Sequence, residues 1–284
     1  MRFPPARFDD DVRAHLDRVG EVFAVRDAAT QDSGNVAYGV RVDGANWFVK
    51  TAGPVDDPTP QDFAQRVALL ENAARVASSV AHPALPAPTV LVPAGRQGPG
   101  LGRPWRPGEV LHVPLERRGE PGNARDRFLA LPLPDAVAAR STGVDAHVAL
   151  AAAGWVAGDL YLGCLLHDVD TGRIALVDLD EYHRGPVVNR VGEMTGSRTV
   201  MSPEERTLGA VVDQRSTVFT LSRIALVLLG DGSGDPGRFR AGDPLLAVLR
   251  RATSARPDDR HPDVATFAAA WAAAVSSSPP APAT

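Results

Sequence analysis

The most informative segment of the chain is GWVAGDLYLGCLLHDVDTGRIALVDLD, residues 154–180. It contains two apolar segments, residues 161–167 and 173–179, separated by a Thr-Gly turn. Two apolar strands joined by a short glycine-containing turn predict a β-hairpin. One aspartate, Asp159, precedes the first strand, and another, Asp178, lies within the end of the second. We therefore expect two carboxylates at one edge of a small sheet, where a metal ion and a polyphosphate could bind.

The composition is that of an ordinary globular protein. The chain has 284 residues, 44% hydrophobic and 23% charged, and this length suits one large domain or two lobes. The net charge of −4, without a long basic run, argues against nucleic-acid binding. Cys164 is the only cysteine, which excludes an internal disulfide and a cysteine-based zinc site. The sequence shows no signal peptide and no apolar run long enough for a membrane span, so we expect a cytoplasmic protein.

Alternating apolar and polar residues predict antiparallel strands in the first third of the chain. The predicted strands are residues 21–26, 36–42 and 46–51. The last two are joined by Asp43-Gly44, a dipeptide that favours tight hairpin turns. The third strand carries Lys50, and a compact ammonium group on a rigid strand can hold phosphate oxygens. A lysine at the end of a strand is usually an ordinary surface residue, so Lys50 indicates a phosphate site only together with the rest of the pattern.

One helix and further strands are expected to follow. Residues 61–80 have helical periodicity, and His82-Pro83 predicts the end of this helix because proline disfavours a helical residue before it. A further strand is expected at 89–92, whereas residues 96–107 predict a loop rich in glycine, proline and arginine. We expect residues 21–104 to form a five-stranded antiparallel sheet with one main helix.

The second half of the chain predicts mostly helices. Residues 134–153 have the composition of one long helix that ends at Gly154. Helices are also expected at 213–229 and 243–252. The histidines show no metal-ligand spacing, and we interpret them, His147 included, as surface or capping residues.

The order of these motifs resembles the protein-kinase superfamily. Asp159 matches the catalytic-base aspartate, Asp178 the magnesium-binding aspartate and Lys50 the strand lysine of that family. The segment WRPGEVL, residues 105–111, resembles the hinge between two lobes. Pro203-Glu204 resembles the motif that ends an activation segment.

The later part of the chain resembles bacterial Ser/Thr protein kinases most closely. Residues 256–270, RPDDRHPDVATFAAA, are similar to their closing helices. Arg260 matches the arginine that pairs with the proline-glutamate carboxylate, so we expect a buried ion pair between Arg260 and Glu204. The Ala-Gly-Asp opening at Asp159 and the aromatic Phe48 are more similar to aminoglycoside-type phosphotransferases, which share the fold.

The resemblance implies an α+β, bilobal protein-kinase-like fold. The implied divisions are an N-terminal extension (1–19), a small lobe with the hinge (20–110), a large, mostly helical lobe (111–276) and a flexible tail (277–284).

The resemblance also implies that the cofactors are ATP and Mg²⁺. Lys50 would hold the phosphates, with Glu71 as its candidate partner on the preceding helix. Gly34 of the phosphate loop, Val36 and Phe48 would line the nucleotide site.

The resemblance gives the two aspartates different roles. Asp159 would orient and deprotonate the attacking hydroxyl, and Asp178 would bind magnesium.

Several residues depart from the family pattern near the metal. Cys164 occupies the position of the asparagine that supplies the second magnesium ligand, and thiolate suits magnesium poorly. Asp180 or Asp168 could substitute, although both are expected to face solvent.

Other departures affect the loops and the helix partner. The phosphate loop keeps a single glycine, and counting back from the His-Pro motif places the lysine's partner at Ala73 instead of Glu71. Ala157-Gly158 replaces the His-Arg of the catalytic loop, and Thr217 replaces the central-helix aspartate that braces this loop in the family. These two losses agree with each other, because the aspartate that braces the catalytic loop and the His-Arg of that loop are both absent.

Three functions are compatible with this pattern. The first is an ATP-dependent Ser/Thr protein kinase, the second a pseudokinase acting as a nucleotide-binding or regulatory module with a protein partner, and the third a small-molecule phosphotransferase. Residues 181–204 distinguish the first from the third, since a protein substrate needs an extended platform there. A small hydroxyl substrate needs an enclosing acidic helical insert, which the sequence does not show.

Overall fold

The chain is an α+β protein that divides into two compact units. The first unit comprises Met1–Ala81 and Pro86–Pro107, and the second His82–Leu85 and Gly108–Thr284. A computed structural model describes residues 7–9, 11–27, 33–56, 59, 61–86, 89–93, 95, 98–114, 117 and 120–277. Most of the predicted tail, from residue 278 on, lies outside these residues.

Seven α-helices and twelve short strands occur in the described part of the chain. The first unit contains α1 (Val12–Val19), β1 (Glu21–Arg26), β2 (Val36–Val42), β3 (Ala45–Thr51), α2 (Phe63–Ser79), β4 (Val90–Val92) and β5 (Gly100–Pro104). The second contains β6 (Glu109–Val110), α3 (Ala124–Leu129), α4 (Leu133–Ala152), β7 (Trp155–Val156), β8 (Leu165–Asp168), β9 (Arg173–Leu176), β10 (His183–Arg184), β11 (Val187–Val188), β12 (Val211–Val212), α5 (Gln214–Leu228), α6 (Asp243–Ala252) and α7 (Val264–Ser277).

The predicted five-stranded antiparallel sheet is confirmed, with strand order β1-β2-β3-β5-β4. The turn between β2 and β3 has a positive φ at both central residues, 49° at Asp43 and 76° at Gly44. This backbone matches the twist of the flanking strands, which is why the dipeptide predicted the hairpin correctly.

The fifth strand lies within a segment that the sequence predicted to be a loop. β5 pairs with β3 and β4, and Gly100 is opposite Thr51. A Cβ at residue 100 would lie 2.4 Å from the Phe8 ring, so the glycine makes room for that aromatic side chain. Glycine has a low strand propensity, and the prediction of a loop was wrong for this reason.

The core of the first unit includes the N-terminal helix. Phe8, Val12 and Leu16 are buried in one cluster with the sheet residues Val40 and Trp47. The helix α1 therefore covers one face of the sheet, and its burial joins residues 8–16 to the first unit.

The second unit is built around helix α5. This helix buries most of its side chains and contacts α4, α6 and α7. Its N-terminus has a capping box. The Asp213 side chain accepts a hydrogen bond from the backbone of the first turn, and the Asp213 N–H donates to the Ser216 hydroxyl. Beside the helices, β6, β8 and β9 form a three-stranded antiparallel sheet. No described helix combines the length and apolar character required to cross a bilayer.

The informative hairpin differs from its prediction at both strands. Leu162–Cys164 forms a 3-10 turn, closed by the Cys164 N–H donating to the Tyr161 carbonyl at 3.1 Å. β8 therefore begins only at residue 165. β9 ends at Leu176, so Asp178 lies in the loop after the strand and not within it. Leu165, Ile174, Leu176 and Leu179 of these segments are buried, and the burial of Leu179 does not require strand geometry.

The predicted ion pair between Arg260 and Glu204 is confirmed. The two guanidinium Nη atoms lie 2.9 and 2.8 Å from the two carboxylate oxygens of Glu204. Arg260 is 1% exposed and Glu204 7% exposed. Arg260 also donates to the Ser254 carbonyl and lies over the Phe219 ring. The pair joins the 3-10 turn Glu204–Arg206 to the segment before α7.

We predict that Arg260→Ala lowers the free energy of unfolding by about 3–5 kcal/mol, because the Glu204 carboxylate would remain buried without its partner. Chemical denaturation measures this change. Arg250→Ala is the matched control, since Arg250 is exposed on α6 and its loss should cost far less. Equal unfolding free energies for the two variants would contradict a stabilising pair.

Candidate active site

The candidate site begins where two loops of the second unit meet. Gly158 lies after β7, and an added Cβ would be 2.3 Å from the Glu181 carbonyl oxygen. No side chain fits there unless one backbone moves. The resemblance places the catalytic-loop arginine at this position, and the close approach gives a physical reason for a glycine instead. The approach brings the loop of Asp159 next to the loop that contains Asp178.

Helix α5 braces the first of these loops. The Ala157 N–H donates to the Thr217 hydroxyl at 3.1 Å, and both residues are buried. In the resemblance to protein kinases, Thr217 would correspond to the central-helix aspartate. The brace on the loop backbone is therefore present in this chain, although a neutral hydroxyl and not a carboxylate provides it.

Asp159 has a left-handed backbone conformation with a φ of 47°. Only a few per cent of non-glycine residues adopt this conformation, and aspartate is among the residues that tolerate it. The Cys164 Sγ–H donates to the Asp159 carbonyl at 3.0 Å. This hydrogen bond closes the loop onto the 3-10 turn and holds the aspartate backbone in place.

The environment of Cys164 keeps its sulfur protonated. Burial raises the pKa of the thiol well above its ordinary value, and the charges of Asp178 and Asp159 raise it further. A protonated sulfur that donates to a backbone carbonyl does not act as a metal ligand. The geometry thus gives Cys164 a structural role, at the position where the resemblance would place a second magnesium ligand.

Three carboxylates influence this sulfur, and one of them is buried. Asp178, Asp159 and Asp180 all raise the Cys164 pKa, with the first two exerting the larger effects. Asp180 is 8% exposed, so the expectation that it faces solvent was wrong. Asp168 caps the hairpin turn instead, accepting from the Thr171 hydroxyl at 2.7 Å.

A buried tyrosine, Tyr182, lies near Asp159 and Asp178. Burial raises the pKa of Tyr182 well above its usual value, and Cys164, Asp178 and Asp159 contribute in the same direction. The Tyr182 hydroxyl donates to His147 Nε2 at 2.8 Å. His147 Nδ1–H donates to a carbonyl one turn earlier on α4, that of Gly143, at 2.7 Å. This chain of hydrogen bonds ties α4 to the loop that follows Asp178.

His147 is a buried neutral residue and not a surface or capping one, as the sequence had suggested. Its side chain is 2% exposed, and burial lowers its pKa to about 4. His167 and His261 are buried as well, so the surface interpretation was wrong for them too.

The remaining predicted nucleotide residues belong to the first unit. Lys50, Phe48 and Val36 lie on β3 and β2 and are half-buried. The Arg103 guanidinium lies 4.5 Å from the centroid of the Phe48 ring. Gly34 has a φ of 71°, a conformation that favours glycine.

Glu71, the candidate helix partner of Lys50, is exposed on α2. Ala73, where counting from the His-Pro motif placed the partner, is buried on the same helix. The pairing of Glu71 with Lys50 stays a prediction.

The donor set in the second unit fits magnesium better than a softer metal. In the part of the chain that is described, no three His, Cys, Asp or Glu side chains are grouped as a metal cage. Magnesium usually takes one or two carboxylates, water and substrate phosphates in place of such a cage. Asp178 and Asp159, or Asp180, are the residues that could hold it.

No model of a known protein family matches the chain, and no curated protein is significantly similar to it.

Sequence reasoning identified the two aspartates but missed the groups that position them. Thr217 was interpreted as a loss, and Tyr182 was not singled out. Both contact partners far away in the sequence, 60 residues for Thr217 and 35 for Tyr182. The only local signal was a polar residue at an otherwise apolar position of a buried helix.

We predict that Thr217→Val destabilises the chain by about 1–3 kcal/mol, because the buried Ala157 N–H would lose its acceptor. The substitution conserves shape, so the cost reports on the hydrogen bond. Faster amide exchange at Ala157 in the variant would locate the effect in the loop. Thr199→Val, at an exposed position, is the control. Unchanged exchange at Ala157 would show that the brace contributes nothing.

The depressed pKa of His147 predicts a loss of stability in acid. The unfolded chain binds this proton near pH 6.5 and the folded chain only near about 4. Stability should therefore fall as the pH drops through this interval, by about 1.4 kcal/mol per pH unit from this group, and level off below it. His147→Gln should reduce the slope of unfolding free energy against pH, whereas His112→Gln, at an exposed position, should not. Equal slopes would contradict the assignment.

Proposed function

We propose that the chain is an ATP-dependent phosphotransferase with a bilobal protein-kinase-like fold. In this proposal residues 20–110 form the small lobe and hinge, and residues 111–276 the large lobe. The observation that carries it is the placement of Asp159 and Asp178 on two adjoining loops, both close enough to raise the Cys164 pKa. Two fixed carboxylates without a third metal ligand suit a reaction in which a nucleotide supplies the remaining oxygens.

Each charged residue has a distinct part in the proposed reaction. Asp159 would orient the attacking hydroxyl and accept its proton, since its backbone is held from both sides of the loop. Asp178 would bind magnesium, which neutralises charge on the phosphates when it is present. Lys50 would hold the α- and β-phosphates.

The segment after Asp178 supports a protein substrate over a small molecule. Residues 181–204 contain only the short strands β10 and β11 and the start of a 3-10 turn, with no enclosing α-helix. Four apolar side chains are exposed along this segment and its continuation, Val188, Val191, Leu208 and Val211, among exposed charged ones such as Arg190 and Arg198. Val188 and Val211 are neighbours across the β11–β12 ladder. A segment with no enclosing helix can accept an extended chain, so we propose a serine or threonine side chain of a protein as the acceptor.

A pseudokinase is the alternative that one observation favours. The Cys164 sulfur is protonated and engaged with the Asp159 carbonyl, so it cannot replace the missing second metal ligand. A chain with this deficit could bind nucleotide, regulate a partner protein and transfer no phosphate. The small-molecule phosphotransferase has no comparable support, because residues 181–204 form no enclosing insert.

Saturating Mg-ATP should raise the melting temperature by about 5 °C or more. A ligand at a hundredfold excess over its Kd stabilises the native state by about 2.7 kcal/mol, and each kcal/mol shifts melting by roughly 2–4 °C in a domain of this size. Asp178→Asn should abolish the magnesium-dependent part of the shift. Asp159→Asn should keep the shift but slow phosphate transfer to a protein acceptor by about 10²–10⁴-fold.

Cys164 variants separate the enzyme from the pseudokinase. Cys164→Asn restores the family's second magnesium ligand and should raise turnover. Cys164→Ala supplies no oxygen ligand for magnesium, so its turnover should not exceed that of the native chain. A nucleotide shift without transfer in any variant indicates the pseudokinase. No shift with any nucleotide, with magnesium or manganese, would overturn both proposals.

A further inference from the structure

Arg140 is a buried positive charge without a counter-charge. It lies on α4 and is 1% exposed. Its Nε and Nη2 atoms are buried and have no hydrogen-bond partner among the described residues. No carboxylate of the described residues forms an ion pair with this guanidinium.

The other fully buried arginines have the hydrogen-bond partners that Arg140 lacks. In the first unit, the Arg66 guanidinium donates to three backbone carbonyls and to the Thr59 hydroxyl. In the second unit, Arg260 has the two oxygens of Glu204. A guanidinium removed from water needs such partners, because its charge and its five donors otherwise remain uncompensated. Arg140 alone of the three lacks them.

The groups that the structure places beside Arg140 on α4 are a glycine and a histidine. An added Cβ at Gly143 would lie 3.1 Å from Nη1, so the guanidinium extends over this glycine. Glycine in a helix interior is unfavourable, and here the lack of a side chain makes room for Nη1, while Nε and Nη2 remain without partners. The next residue along the same face is His147, which is neutral because burial lowers its pKa to about 4, and its Nε2 accepts from the Tyr182 hydroxyl. His82, the other titratable group that acts on His147, is also basic.

We propose that Arg140 binds a small monovalent anion, chloride, in the interior of the second unit. A spherical anion suits a site whose donors belong to one guanidinium beside a glycine, since it requires no matching fork of acceptors. A buried water could satisfy the two donors but would leave the charge uncompensated. A lowered pKa, to about 10 through burial, agrees with a guanidinium that has no anion beside it.

The anion would stabilise the face of α4 that supports the candidate site. Gly143 and His147 follow Arg140 on this face, and His147 holds the Tyr182 hydroxyl. The proposal does not depend on phosphate transfer, because it concerns stability without nucleotide.

The test is the melting temperature at constant ionic strength, with sodium chloride replaced stepwise by sodium gluconate. Chloride at about tenfold its Kd should raise melting by about 3 °C, with saturation. Arg140→Met should remove the dependence on chloride, and Arg250→Met, at an exposed position of α6, should keep it. Identical chloride dependence in the native chain and Arg140→Met, or no dependence in the native chain, would overturn the proposal.

Diffraction gives a second test that does not require the variant to fold. Crystals of the native chain grown in sodium bromide should show an anomalous peak in hydrogen-bonding contact with the Arg140 guanidinium. The absence of that peak, or a carboxylate of the chain in its place, would refute the anion site whatever the melting data show.

Discussion

The close approach of two backbone segments, at Gly158 and Glu181, is the constraint on which the candidate site depends. With 2.3 Å between a would-be Cβ and a carbonyl oxygen, the two loops can pack only through a glycine. That packing sets Asp159 and Asp178 on neighbouring turns of backbone. The hydroxyl of Thr217 and the thiol of Cys164 then hold one of these loops from opposite ends. The site is thus positioned by main-chain contacts, with few charged side chains in its support.

Neutral donors are what allow several carboxylates to lie together in this unit. The carboxylates of Asp159 and Asp178 raise the pKa values of a thiol and a phenol that are already raised by burial. Both groups remain protonated and can donate hydrogen bonds. His147 stays neutral for the complementary reason, since burial disfavours its cationic form. The buried thiol, phenol and imidazole are therefore uncharged, whereas Arg140 is a buried cation and Arg260 and Glu204 form a buried ion pair.

Features with local signals could be predicted from the sequence, and features set by distant contacts could not. The hairpin at Asp43, the end of α4 at Gly154 and the helix α6 follow from turn chemistry and periodicity within a few residues. The pair of Arg260 with Glu204 followed from resemblance alone and is correct. Strand β5 was missed because its glycines have no side-chain pattern, and its pairing depends on β3 and β4. The hydrogen bond from His147 to Tyr182 joins groups that no sequence spacing associates.

The lone cysteine has a practical consequence for following the chain in solution. Cys164 is buried and protonated, so a thiol-modifying reagent meets neither an accessible sulfur nor a thiolate in the native state. Modification requires a local unfolding event that exposes residue 164, so the modification rate measures how often such events occur. With no second cysteine to complicate the signal, the chain contains its own reporter of local opening at the loop of Asp159.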